Sequence, residues 1–233
     1  MSDSPERNKQ LLSPGIGPNS RSPHLANPGP LGFGAFATTL MTLSFSMMSF
    51  RSVSNQTVFI ANLCFLAGLG LLISAQWEMV KGNTFAYTVL GAFAFYYGGY
   101  GVLLMPPLGI VDSYGGKTAE YYNAFGLYLA VWSILNFFFF VASLPTNVVN
   151  ITIYGALELS YIFNCTANFM MADGHSALGD TFTTIAGAFG MVSALAGFYM
   201  LGHDLCQDAL PFEIPLIPTS RVFFNSQRST VWK

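Results

Sequence analysis

Charge is what this sequence has least of. Only 9% of its 233 residues are Asp, Glu, Lys or Arg, against about 25% in an average soluble domain. A chain so short of charge cannot present a surface to water on every side. The nine basic residues are scattered, which excludes the clustered basic face that nucleic acid requires, so no nucleic-acid partner is expected. Cysteine is equally sparse. Cys64, Cys165 and Cys206 fit neither a disulfide framework nor a zinc site and read as buried apolar thiols. His24, His175 and His203 fall in tails or a loop without ligand spacing. No HExxH, Walker sequence or nucleophile elbow occurs. The run from Gly32 to Ala37 echoes a dinucleotide fingerprint, but no strand precedes it and no acidic partner follows. The chain is therefore expected to be no enzyme and to hold neither metal nor cofactor. An apolar stretch of the kind found in cleavable signal peptides is also missing near Met1.

What is present is apolar. About half the residues are hydrophobic (52%), and 22 are phenylalanine. A membrane-crossing helix needs about 20 mainly apolar residues. Six windows meet that length: Leu31–Phe50, Thr57–Trp77, Thr84–Met105, Tyr121–Ser143, Val148–Met171 and Leu178–Leu201. Barrel strands would be half as long and would alternate, so helices are the remaining way to satisfy backbone groups in lipid. The predicted fold is an all-α membrane protein with six transmembrane helices per subunit, so its bilayer partner is lipid. Residues 1–26 read as a disordered N-terminal tail, 27–201 as the six-helix domain, and 202–233 as a polar C-terminal tail. Ser4, Ser13 and Ser22 each precede a proline in the first tail.

With six spans both termini share one side. Seven of the basic residues (Arg7, Lys9, Arg21, Lys81, Arg221, Arg228 and Lys233) lie on that side, against Arg51 and Lys117 opposite. The positive-inside rule then makes the termini cytoplasmic.

Ionisable groups inside the predicted spans are nearly absent. Glu158 alone lies well within one. A charged side chain there costs roughly 2.5–3.5 kcal/mol, which makes it a functional candidate, as a proton acceptor, an ion contact or a protonated structural group. Glu78 and Lys81 stand at a span end beside Gly82, Asn83 and Thr84, where an interfacial helix end would account for them. Ala186, Gly190 and Ala194 recur at every fourth position of the last window, a spacing that permits close helix approach.

The stretch Asn27-Pro28-Gly29-Pro30-Leu31-Gly32-Phe33 resembles the signature box of the acetate uptake transporter family, which includes bacterial succinate–acetate permeases and fungal ammonia/acetate transporters. Further features agree in order: Trp77-Glu78 before Gly82-Asn83-Thr84-Phe85, Leu103 to Pro106, and Phe125 to Trp132. The resemblance covers about Asn27 to Ile217. It implies a six-helix subunit with its own pathway, a homo-oligomer in the form of a hexameric ring, a plasma-membrane location, and an acetate-like anion moving with a proton. It also implies an apolar constriction at Phe36, Phe93 and Leu157. Relatives usually carry tyrosine where this chain has Phe93, and Ala86 and Leu71 are further departures. Proline fixes φ and restrains its predecessor, so Pro28 and Pro30 set the angle of entry into the bilayer. A structural role and a solute-binding role both fit the box. Glu78, inside a matching box, is the better candidate for a transport-sensitive carboxylate, with Glu158 beside the constriction leucine. Ammonia or ammonium export and a non-transporting sensor or scaffold are the alternatives.

Overall fold

Pro28 and Pro30 begin the first helix as their chemistry requires, since a helix start has no use for the missing N–H. In the computed structural model, which describes residues 26–207, 210–212 and 214–220, Pro28 is the N-cap of helix α1 (Gly29–Met47) and Pro30 lies in its first turn. The expected N-terminal tail, with Ser4, Ser13 and Ser22, lies outside the described residues apart from Ala26.

After α1 the chain turns through Ser49, Arg51 and Ser52, all at positive φ (51°, 52° and 62°). A continuous helical run then covers Thr57–Val80. It opens with a 3-10 turn, passes through a π-helix at Asn62–Leu69 and finishes as α2 (Gly70–Val80). Helix α3 (Thr84–Leu103) follows, then a 3-10 turn, the short α4 (Ile110–Ser113), α5 (Ala119–Ser143), α6 (Val148–Ala172) and α7 (Ser176–Cys206). Side-chain caps start three of them. Asn83 accepts from the Ala86 amide, Thr118 from that of Tyr121, and Asn147 from that of Asn150. Such caps satisfy amides that no earlier turn can reach.

Each sequence window thus contains a helix. Four helical runs are long and apolar enough to cross a membrane: Thr57–Val80, α5, α6 and α7. A fifth arises if α3 and Pro106–Ser113, bent by 71°, form one span. The protein is a multi-pass membrane protein. Helix α1 is not among the four, since Thr38, Thr39, Thr42, Ser44 and Ser46 dilute its apolar character. Helix α7 runs past the expected span end at Leu201, and this extension carries His203 and Asp204.

Packing is organised around α7, which lies against α1 and α6, while α6 packs on α5 and α2 on α3. The small-residue stripe of α7 is the reason. Ala186, Gly190 and Ala194 are buried, and a Cβ at Gly190 would stand 2.6 Å from Ser44 Oγ of α1. The close neighbour of this stripe is in the same chain. Ser193 Oγ donates to Ile153 O of α6 at 2.8 Å, and Ser160 Oγ of α6 donates to Ala186 O at 2.8 Å. Gly190→Val is expected to cost about 3 kcal/mol through overpacking. A thermal melt of the detergent-solubilised protein checks this; an unshifted midpoint would contradict the contact.

Rings close the circle where α3 meets α5. Tyr96 stands 4.9 Å from Trp132 and Phe93 stands 5.7 Å from Phe139, centroid to centroid. The outside is greasy: Phe65, Phe95 and Val131 are each about two-thirds exposed. Large apolar groups facing outward on every long helix suit a lipid surround.

The segment after α7 folds back on the bundle. Ile217 O accepts from the Val148 amide at 2.9 Å and Thr219 N donates to Thr146 O at 3.2 Å. Tyr199 OH donates to Pro215 O at 2.7 Å. This part of the expected polar tail is a strap across the α5–α6 turn.

Candidate functional site

Polar residues inside the bundle collect at two heights. Near the α1 start, the signature-side chamber has a cavity volume of about 230 Å³ and is lined by Asn27, Glu78, Lys81, Asn83, Asn150 and Asp204, with Phe85 and Tyr154 as walls. Towards the other end of α1, the loop-side chamber has a cavity volume of about 40 Å³. Gln56, Tyr96, Tyr97, Tyr100, Ser160, Tyr161 and Asn164 line it, with Leu157 in its wall.

The helices place a barrier between them. On α1 the signature-side lining ends at Phe33 and the loop-side lining begins at Leu40; on α3 the same change falls between Leu90 and Tyr96. On α6 it falls between Tyr154 and Leu157. Phe36 and Phe93 occupy the gaps on α1 and α3. Their ring centroids are 5.9 Å apart, and Tyr97 stands 6.4 Å from each, separations at which aromatic rings touch. Phe36, Phe93, Tyr97 and Leu157 are 3%, 2%, 1% and 4% exposed. Phe36 is backed by α7, where a Cβ at Gly197 would lie 3.1 Å from its ring. The residues between the two chambers form an aromatic layer.

The Phe36 and Phe93 rings pack against each other in this layer. Tyr97 was not foreseen in this layer. The phenol that relatives place at Phe93 has a counterpart one helical turn later, because residues four apart share a helix face. The run Phe93, Tyr96, Tyr97, Tyr100 at helical spacing was the signal available in the sequence.

The signature box lines the signature-side chamber with Asn27, Gly29 and Phe33 and also makes helix contacts. Pro28 O accepts from Ser74 Oγ at 2.7 Å, and Asn27 Oδ1 accepts from the Gly29 amide at 3.1 Å and from Lys81 Nζ at 3.4 Å. A Cβ at Gly32 would come within 2.7 Å of Ser74 Oγ, so only glycine lets α1 and α2 approach this closely. Leu31, 46% exposed, lies outside both chambers. Thr84 is exposed at the first position of α3 and lines neither. Gly82, at φ 77°, makes the α2–α3 turn. These three do not join the site.

Glu78 does. It is 4% exposed, accepts from Asn83 Nδ2 at 2.7 Å and lies 3.8 Å from Lys81 Nζ. Asn83 thus caps α3 with its oxygen and holds Glu78 with its nitrogen. Asp204, absent from the sequence reading because its span was ended too early, brings a second carboxylate. His203 Nε2 lies 3.9 Å from Asp204 Oδ1, while its Nδ1 meets Ile214 O of the strap at 2.6 Å.

Glu158 lines neither chamber. It accepts from Ser133 Oγ at 2.6 Å and from Asn136 Nδ2 at 2.7 Å, which ties α6 to α5. Asn136 Nδ2 also reaches Tyr154 O at 3.2 Å.

One polar atom in the signature-side chamber is left over. Asn150 Oδ1 is buried without a partner. Its orientation is fixed by Thr146, whose hydroxyl is spent as a donor to Ser143 O at 2.6 Å and so must accept from Asn150 Nδ2 at 3.2 Å. A buried acceptor without a donor costs about 1–3 kcal/mol, and a solute that brings a proton donor relieves it. Among the described residues no group of three or more His, Cys, Asp or Glu is placed to hold a metal ion.

The sequence matches the GPR1/FUN34/yaaH family over residues 9–220. It is 40% identical over 204 residues to the acetate transporter protein patA of Penicillium expansum, across 88% of this chain and 82% of that protein. It is 28% identical over 219 residues to ammonia transport outward protein 2 of Saccharomyces cerevisiae, across 91% of this chain and 74% of the relative. Its fold is similar to that of the bacterial acetate channel SatP, with a TM-score of 0.66 at 24% identity, covering 83% of this chain and 99% of that one.

Proposed function

The chain belongs to the GPR1/FUN34/yaaH family, and from that premise we propose that it carries acetate and related short monocarboxylates across the membrane. The carrying observation is the pair of polar chambers separated by the neck of Phe36, Phe93 and Tyr97. The similarity to acetate transporter proteins supports the choice of solute. Six spans, both termini in the cytoplasm, a plasma-membrane location and a hexameric assembly complete the reading.

Transport in this reading is proton-linked. A dehydrated anion in an apolar neck is expensive, and the neutral acid avoids most of that cost. Asn150 Oδ1 supports the idea, because acetic acid offers it an O–H and acetate does not. Glu78 and Asp204 set the charge of the signature-side chamber against a single Lys81. Phe36, Phe93 and Leu157 with Tyr97 set the size of solute that passes. Glu158 holds α6 in place beside Leu157.

A second reading is favoured by the same two carboxylates. They suit ammonium, whose N–H groups would also satisfy Asn150 Oδ1, and one relative is an ammonia transport protein. Labelled acetate uptake into proteoliposomes, with and without an inward proton gradient, separates the two. Uptake that rises with the gradient and is blocked by propionate is expected. Uptake indifferent to the gradient removes the proton linkage, and absence of acetate flux with ammonium flux intact moves the assignment to ammonium.

A further inference from the structure

The loop-side chamber has a feature that an apolar neck does not require. Gln56, from the loop between α1 and the following helix, reaches into the chamber lining. Its Oε1 accepts from the Tyr100 hydroxyl of α3. Its Nε2 donates to Ser46 Oγ of α1 at 2.8 Å, and Ser46 passes its own proton to Leu43 O at 2.7 Å. One carboxamide therefore bridges Tyr100, which lines the chamber, to Ser46 of α1, which is buried just outside the lining.

The loop that carries Gln56 is not relaxed. Ser49, Arg51 and Ser52 hold left-handed backbone, which L-residues with a Cβ adopt at a cost. Such backbone persists where other contacts fix it, and it clusters at ligand clamps. The two hydrogen bonds of Gln56 are contacts of that kind.

A carboxamide and a carboxylic acid have nearly the same shape. Both are planar, with a carbonyl acceptor on one arm and a donor on the other, an NH2 with two hydrogens in the amide and a single O–H in the neutral acid. A neutral short-chain acid can place its carbonyl oxygen on the Tyr100 O–H and its own O–H on Ser46 Oγ. It would then reproduce both bonds that Gln56 makes. We infer that Tyr100 and Ser46 form a recognition site for the carboxyl group of the solute, on which the Gln56 carboxamide is the resident competitor. The inference rests on the transport reading above and names the residues that choose the solute. No charged group lines this chamber, so the site selects by donor and acceptor pattern, and the anion lacks the donor that Ser46 Oγ asks for.

Competition predicts that the two residues are coupled. Removing the competitor by Gln56→Ala frees the site, and the KM for labelled acetate in proteoliposomes is expected to fall roughly fivefold. Tyr100→Phe takes the same hydrogen bond from solute and competitor, so it is expected to raise KM less than about twofold while Gln56 is present and about fivefold in the Gln56→Ala background, since one hydrogen bond is worth about that factor. The double variant is therefore expected to return KM to about the wild-type value. If Gln56→Ala does not fold, Gln56→Asn, too short to span from α3 to α1, carries the same expectation. A bridge that only braces the fold would lower the melting temperature and Vmax in both variants and leave KM alone, which overturns the inference. KM values that rise in both, or shifts that add in the double variant, overturn it as well. Wild-type protein that moves no acetate overturns the transport reading and this inference with it, whereas wild-type flux with unchanged KM in both variants removes the inference alone.

Discussion

Leu157→Ala is expected to raise the uptake of butyrate relative to acetate by about tenfold. Leu157 is 4% exposed and stands in the loop-side wall next to the neck. Truncation to alanine removes three carbons from that wall. A misfit of one methylene in an apolar pocket is worth about 1–3 kcal/mol, so a wall that recedes by more than a methylene admits acids two carbons longer. The rings of Phe36, Phe93 and Tyr97 still touch one another in the variant, so acetate flux should change less than butyrate flux. Parallel uptake curves for acetate, propionate and butyrate check this. An unchanged ratio across the series would remove Leu157 from the neck.

The second large effect is expected at Glu78. Glu78→Ala should reduce proton-driven acetate uptake by at least about tenfold, the scale of a lost charge-assisted bond. Asn83 Nδ2 would lose its acceptor and Lys81 its nearby carboxylate, which leaves Asp204 as the one carboxylate facing Lys81 in the chamber. The Glu78→Gln variant separates charge from shape. Its carbonyl oxygen can still accept from Asn83, so α3 stays capped and the chamber keeps its form. Acetate uptake in that variant should persist while its response to an inward proton gradient flattens. A gradient response equal to that of the unaltered protein in Glu78→Gln would assign the coupling elsewhere, to Asp204 in the first instance.

Much of this architecture was legible because membrane helices announce themselves by length. A run of 20 apolar residues between polar breaks has few other readings, and each of the six windows contains a helix. Phe36, Phe93 and Leu157 came from the family resemblance, by ungapped counting from the nearest matching boxes. What was lost lay where the chain departs from that regularity. The π-helix at Asn62–Leu69 widens the turn, so a 100° wheel points its side chains the wrong way. Gln56 sits in a loop, where no periodicity says which chamber a side chain enters. Asp204 was missed because the apolar signal fades at Leu201 while the helix continues to Cys206. Leu31 and Thr84 were included for their place in a recognisable box, but they line neither chamber, while other box residues line one chamber and also hold α1 against α2 through Ser74. A motif can be kept for the joint it makes as well as for the solute it touches.

The touching rings of the neck also bear on how the cell can keep such a protein at rest. A proton crosses a bilayer along a file of hydrogen-bonded waters, and an apolar constriction breaks that file by dewetting. In the proposed transport reading, with Phe36, Phe93 and Tyr97 in contact, a proton would have no independent route between the chambers and would pass only as part of a solute. The membrane can then remain energised while the pathway stands idle, and the voltage and pH difference that other transporters use are not short-circuited by its abundance.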